Sequence, residues 1–136
     1  MSLCIFCAIV SGDAPSSIVY EDENAIAFMD INPATEGHSL VIPRKHVADL
    51  WEIGEEEARD VMAAALRVAN KIRSALSPDG LNIMHATGIV AFQSVFHFHL
   101  HVIPRYRTDA IRMPFVPRPG DRTQIATIAE KIRAAG

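Results

Sequence analysis

The chain is poor in cysteine, with two in 136 residues. That excludes a scaffold held together by disulfides. It has no surplus of positive charge either: 13 Lys and Arg stand against 16 Asp and Glu, a formal net charge of −3. Proteins that track nucleic acid usually show a basic face, so nucleic acid is not an expected partner. No window approaches the ~20 consecutive apolar residues of a membrane span. The apolar run from Leu3 to Val10 is short and lacks the basic start of a signal peptide. The expectation is a cytoplasmic protein with no membrane partner. Seven glycines occur, but none fall into Gly-x-Gly-x-x-Gly, Gly-x-x-x-x-Gly-Lys-Ser/Thr or Gly-x-Ser-x-Gly. Dinucleotide cradles, P-loops and hydrolase nucleophile elbows are therefore excluded.

What is present suits one ordered domain spanning 1–136. The chain is 49% hydrophobic and 21% charged, with no low-complexity tract. A helical turn is expected near Phe6–Val10. Strands are expected at Ile18–Glu21 and Ala25–Met29, joined tightly through Asp22-Glu23-Asn24. Ser39–Ile42 reads as a central strand stopped by Pro43. Glu55 to Leu76 carries one apolar stripe at helical spacing, with Glu55–Glu57 at its start and Lys71 and Arg73 near its end, both favourable to the helix dipole. Ser77-Pro78-Asp79-Gly80 ends it, and a strand follows at Leu81–His85. After a proline-rich arm, Asp121 can cap a last helix, whose Ile125, Ile128 and Ile132 are expected to form a buried edge. This order predicts an α+β domain: an antiparallel sheet of about five strands, one long helix and a C-terminal helix.

The richest stretch is His97-Phe98-His99-Leu100-His101-Val102-Ile103. Strict alternation predicts a strand from His97 to Pro104 with the three imidazoles on one face and Phe98, Leu100 and Val102 on the other. Three titratable rings on one face are costly without partners. They can chelate a metal, or one of them can act as a nucleophile tuned by its neighbours. Cys4-Ile5-Phe6-Cys7 has the spacing of a zinc half-site or a redox pair. A thioredoxin-like pair stands between a strand and a long helix, whereas this one opens only a short helical turn. Six histidines could complete a zinc site: His38, His46, His85, His97, His99 and His101.

Several of these stretches together resemble the histidine triad family of nucleotide hydrolases and transferases. The resemblance is carried by His97-x-His99-x-His101 after Gln93-Ser94-Val95, and by Gly37-His38-Ser39-Leu40-Val41-Ile42-Pro43 followed by Lys45-His46. Cys4-Ile5-Phe6-Cys7 and Phe28-Met29-Asp30-Ile31-Asn32-Pro33 add to it. It runs from Cys4 to about Arg105, leaving an arm and helix at 106–136 outside. The branch most similar is that of purine-nucleoside phosphoramidases and small bacterial triad proteins.

The resemblance implies roles. His99 would attack the α-phosphorus of a nucleoside phosphoramidate, ester or anhydride to form a nucleotidyl-histidine that water cleaves. His101 and Ser94, with backbone N–H groups near Gln93 and Ser94, would contact the phosphate, and His38 would support the triad. Asp30 would accept the ribose hydroxyls, while Phe6, Phe28 and Ile31 would hold a purine. A structural zinc would sit on Cys4, Cys7, His46 and His97, and a homodimer would form. Relatives usually carry Asn or Gln where this chain has Ala86, and Gly where it has Phe92. Ala86 feeds a second reading, a nucleotide-binding or interaction module with weakened catalysis. A third is a hydrolase whose metal is held by His99 and His101.

Overall fold

The computed structural model describes residues 3–136. Helix α1 (Ile5–Ser11) is started by Cys4, whose Sγ accepts the Cys7 N–H, and stopped by Gly12 at φ 83°. Strands β1 (Ile18–Glu21) and β2 (Ala25–Met29) form a hairpin. Its turn is closed by Asp22, which accepts the N–H groups of Asn24 and Ala25. Strand β3 (Ser39–Pro43) is followed by the long helix α2 (Glu55–Leu76), then β4 (Gly80–Met84), a short 3-10 turn (Ile89–Ala91), β5 (Leu100–Arg105) and α3 (Arg122–Ala134). The five strands make one antiparallel sheet in the order β1-β2-β3-β5-β4. No helix among the described residues is long and apolar enough to cross a membrane.

Alternation along the central strands divides the apolar residues between two cores. Ala25, Ala27, Val41, Leu100 and Val102 face α2, where they meet Val61, Ala64, Ala65, Val68 and Ile72. Ile26, Phe28, Leu40 and Ile42 face the other way and meet Phe6 and Ile9 of α1. The histidines lie on this second face, so α1 stands over them. Gly37 is required where it turns the chain into β3. It has φ 94°, and a Cβ there would come within 2.6 Å of Leu76 Cδ1 and 3.0 Å of Pro104 Cγ.

Two expectations are corrected. The hydrogen-bonded part of β5 begins at Leu100, not His97. Ahead of it the backbone has left the sheet and bonds to loops: Phe98 N–H donates to the Val47 carbonyl. The side-chain alternation nonetheless persists, with Phe98 in the α2 core. The last helix forms where expected, and the Asp121 carboxylate accepts the Gln124 N–H. Its isoleucines are not buried, however: Ile125, Ile128 and Ile132 are 58%, 49% and 70% exposed. Helical periodicity shows that a helix has an apolar face, but not what that face meets.

Candidate functional site

The site gathers residues from α1, β2, β3, the loop before β5, and β5 itself. A cavity of about 360 Å³ is lined by Phe6, Phe28, Asp30, Ile31, Leu40, Ser94, His99 and His101, among others. That volume lies in the ~300–1,000 Å³ range of small-molecule sites. Its floor is apolar. Phe6 and Phe28 are buried and meet edge to face at 5.2 Å, and Phe6 stands perpendicular to the His99 ring, also at 5.2 Å. Ile31 is exposed on the rim.

The partner of one nitrogen on each ring decides what the other can do, because a carbonyl only accepts and a backbone N–H only donates. His99 Nδ1 lies 2.8 Å from the His97 carbonyl, so Nδ1 carries the proton and Nε2 keeps its lone pair. His38 Nδ1 accepts the Ala34 N–H at 2.9 Å. Its Nε2 therefore carries the proton and donates to His101 Nδ1, also 2.9 Å away. His101 is thereby left with an Nε2–H. Burial pushes the pKa of His99 and of His38 down. It pushes His101 down to about 4, with further repulsion from His99 and His38. Near neutral pH the site thus holds a neutral nucleophilic nitrogen beside a neutral N–H donor. Asp30 lines the same cavity. Its Oδ1 accepts the Asn32 N–H, and its Oδ2 lies 3.4 Å from His38 Nε2.

Gln93 differs from the expectation. It is buried, and its side chain is wholly engaged within the protein. Oε1 accepts the Gly88 N–H, and Nε2 donates to the carbonyls of Ala48 and Val95. Its backbone N–H donates to the Gly88 carbonyl. Gln93 therefore has no donor to offer a phosphate; it staples the loop that presents Ser94. Ser94 is exposed on the cavity wall, and its hydroxyl makes no hydrogen bond among the described residues. Two residues that sequence reasoning left unassigned also belong to this frame. His85 bonds to the His99 carbonyl, and Thr87 bonds to His85. Their one sequence signal is polarity on either side of Ala86.

A second cluster lies behind His99. Cys4, Cys7, His46 and His97 bring four ligand atoms together. His97 Nδ1 is 3.5 Å from each Sγ and 3.2 Å from His46 Nδ1, and Cys7 Sγ is 3.2 Å from His46 Nδ1. Tetrahedral zinc with bonds of ~2.0–2.1 Å to nitrogen and ~2.3 Å to sulfur has edges of about 3.3 Å (N to N) and 3.6 Å (N to S). The cluster fits that figure. The α1 N-terminus sets the two sulfurs one turn apart. His97 Nε2–H is held by the Pro43 carbonyl at 2.8 Å, the outer bond that orients a metal-binding imidazole. Asp30, His38 and His101 also converge, but the His38 Nε2 proton leaves no lone pair there for an ion.

A HIT domain model matches residues 11–108. The chain belongs to the HIT family. The matched span begins after Cys4 and Cys7 and takes in all three triad histidines. The chain is 48% identical over 103 residues to Protein hit of Bacillus subtilis, covering 76% of this chain and 71% of that protein. A Zn-bound histidine triad family protein from Mycobacterium smegmatis is 42% identical, with a TM-score of 0.77 and 98% of each chain covered. A histidine triad nucleotide-binding protein from Candida albicans is 29% identical, with a TM-score of 0.84 and 96% and 94% covered. The two solved HIT structures share the α+β fold described above.

Proposed function

We propose that this HIT protein is a nucleotide hydrolase, of the nucleoside phosphoramidase or dinucleoside polyphosphate hydrolase type, that works through a covalent nucleotidyl-His99. The observation that carries the reading is the His99 tautomer: with Nδ1–H given to the His97 carbonyl, a neutral Nε2 lone pair lines a cavity able to hold a nucleoside. Nε2 attacks the α-phosphorus and the bond to the leaving amine or phosphate breaks. Water then cleaves the phosphorus–nitrogen bond and releases the nucleotide. His101 Nε2–H and the Ser94 hydroxyl, both on the cavity wall, would meet charge on the phosphate oxygens. The Asp30 carboxylate suits the ribose hydroxyls, and Phe6, Phe28, Leu40 and Ile31 suit a purine. The nucleotide-binding relative from Candida albicans supports this class of ligand.

Cys4, Cys7, His46 and His97 would hold a structural zinc, which would tie α1 to the histidine segment; the Zn-bound relative supports that assignment. The reading includes a homodimer in the cytoplasm. Strand β4 is a sheet edge, its Ile83 and Met84 are exposed, and so are Met62 and Leu66 of α2. Unpaired apolar edges of this kind invite pairing with a second copy.

The reading is tested by His99→Ala. Hydrolysis of adenosine 5′-phosphoramidate should be abolished while AMP binding survives, and mass spectrometry of quenched wild-type reactions should find AMP on His99. Substantial turnover by the alanine variant would refute it. Ala86, which offers the phosphate no donor, favours one alternative, a nucleotide-binding module with weakened catalysis. AMP binding without turnover by the wild type would select it.

A further inference from the structure

His85 takes no part in the chemistry proposed above, yet it is bonded to the backbone of the proposed nucleophile. Main-chain pairing between β4 and β5 ends at Met84 opposite His101. One residue beyond the end of β4, the His85 side chain takes over. Its Nδ1 lies 3.0 Å from the His99 carbonyl. Since a carbonyl only accepts, Nδ1 carries the proton and Nε2 is the acceptor. The Thr87 hydroxyl donates to that Nε2, and Thr87 Oγ1 itself accepts the Leu50 N–H at 3.0 Å. Every donor along this relay points the same way, from the Leu50 backbone to the His99 carbonyl. The ring plane is set by Phe98, stacked at 4.4 Å and 25°.

We propose that His85, held in its Nδ1–H form by Thr87, is a positioning residue for His99. Its imidazole adds one rung to the β4–β5 ladder where the main chain has stopped pairing, and so fixes the peptide of the nucleophile. The proposal rests on His99 being that nucleophile. In-line attack needs the reacting atoms within about 3–3.5 Å, and a displacement of ~1 Å can cost ~100-fold in rate. A carbonyl released from the His85 side chain is a route to such a displacement. The relay also bears on Ala86, which lies between its two members. On one side of it His85 stacks on Phe98, and on the other Thr87 is tied to the Leu50 N–H.

The experiment compares three variants with adenosine 5′-phosphoramidate. His85→Phe keeps the stack on Phe98 and loses both nitrogens. Its kcat should fall ~10- to 100-fold, with KM within about twofold of wild type. His85→Asn keeps an N–H for the His99 carbonyl and should recover much of the loss. Thr87→Val should fall in between. A merely structural role would lower Tm and leave kcat per folded molecule unchanged. Wild-type kcat in His85→Phe, or equal losses in the Phe and Asn variants, would overturn the proposal. Nitrogen NMR of the wild type supplies a readout independent of turnover and of variant folding: His85 should be protonated at Nδ1. Protonation at Nε2 would overturn the positioning role. A wild type that turns over no nucleotide would instead overturn the functional reading.

Discussion

Replacing Gln93 with Leu keeps the side chain's bulk and removes its polar atoms. Three hydrogen bonds go with them, those to the Gly88 N–H and to the carbonyls of Ala48 and Val95, at 2.8, 2.7 and 3.1 Å. A net bond of this kind is worth about 0.5–1.5 kcal/mol, and a buried partner left unmade costs about 1–3. Gly88, Ala48 and Val95 are all partly exposed, so water can reach them and the lower figure applies. The expected loss is then about 3 kcal/mol, equivalent to a fall in Tm of roughly 10 °C for a domain of this size. The catalytic consequence should fall on kcat, because the loop that presents Ser94 loses its staple. The apolar floor made by Phe6, Phe28 and Leu40 is untouched, so KM should hardly change. Denaturation by differential scanning calorimetry and steady-state kinetics on the same preparation check both parts. A variant with unchanged Tm but a large rise in KM would refute the reasoning, since it would mean that the amide faces substrate rather than the loop.

Zinc should copurify at about one ion per chain and be lost in Cys7→Ser, with a fall in Tm larger than any fall in kcat per folded molecule; elemental analysis showing no metal in protein made with zinc supplied would contradict this. Burial holds His101 down at about 4, with His99, His38 and His85 repelling its proton and Asp30 attracting it. The folded state therefore binds fewer protons than the unfolded chain below pH 6.5, and stability should decline as pH falls from 6.5 toward 4; urea midpoints unchanged between pH 7 and 4.5 would refute it. The resemblance implies an amide donor to the phosphate at position 86, so under the proposed function Ala86→Asn should raise kcat/KM for adenosine 5′-phosphoramidate, by at most about tenfold or a little beyond; an unchanged rate with intact AMP affinity would show that this site has settled on other contacts.

The elements were legible wherever local chemistry sets them. Glu55–Glu57 and Ser77-Pro78-Asp79-Gly80 bracket α2 at its observed limits, and Asp121 caps α3 as its side chain allows. Alternation through Phe98, Leu100 and Val102 assigned the faces correctly even where the backbone leaves the ladder. What sequence could not show is set by distant partners. The engagement of Gln93 depends on Ala48, 45 residues away, and the relay through Thr87 depends on Leu50, 37 residues away. Neither pairing leaves a periodic trace. The stripe on α3 is the opposite case, a clear period whose counterpart is not found among the described residues of this chain.

The three triad histidines share one side chain in three settings, and the neighbours decide which nitrogen of each carries the proton. Pro43 takes the His97 Nε2–H and turns Nδ1 toward the two cysteines. The His97 carbonyl takes the His99 Nδ1–H and frees Nε2 toward the cavity. His38 Nε2–H donates to His101 Nδ1, so the His101 proton sits on Nε2. The Cys/His cluster and the proposed nucleophile thus meet in one residue, His97: its ring belongs to the cluster and its carbonyl accepts from His99. An ion held there would steady that carbonyl without drawing on the His99 ring. For that reason the cluster should govern how firmly the site is held together, while the reactivity of His99 is set by burial and by the hydrogen bond to its own chain.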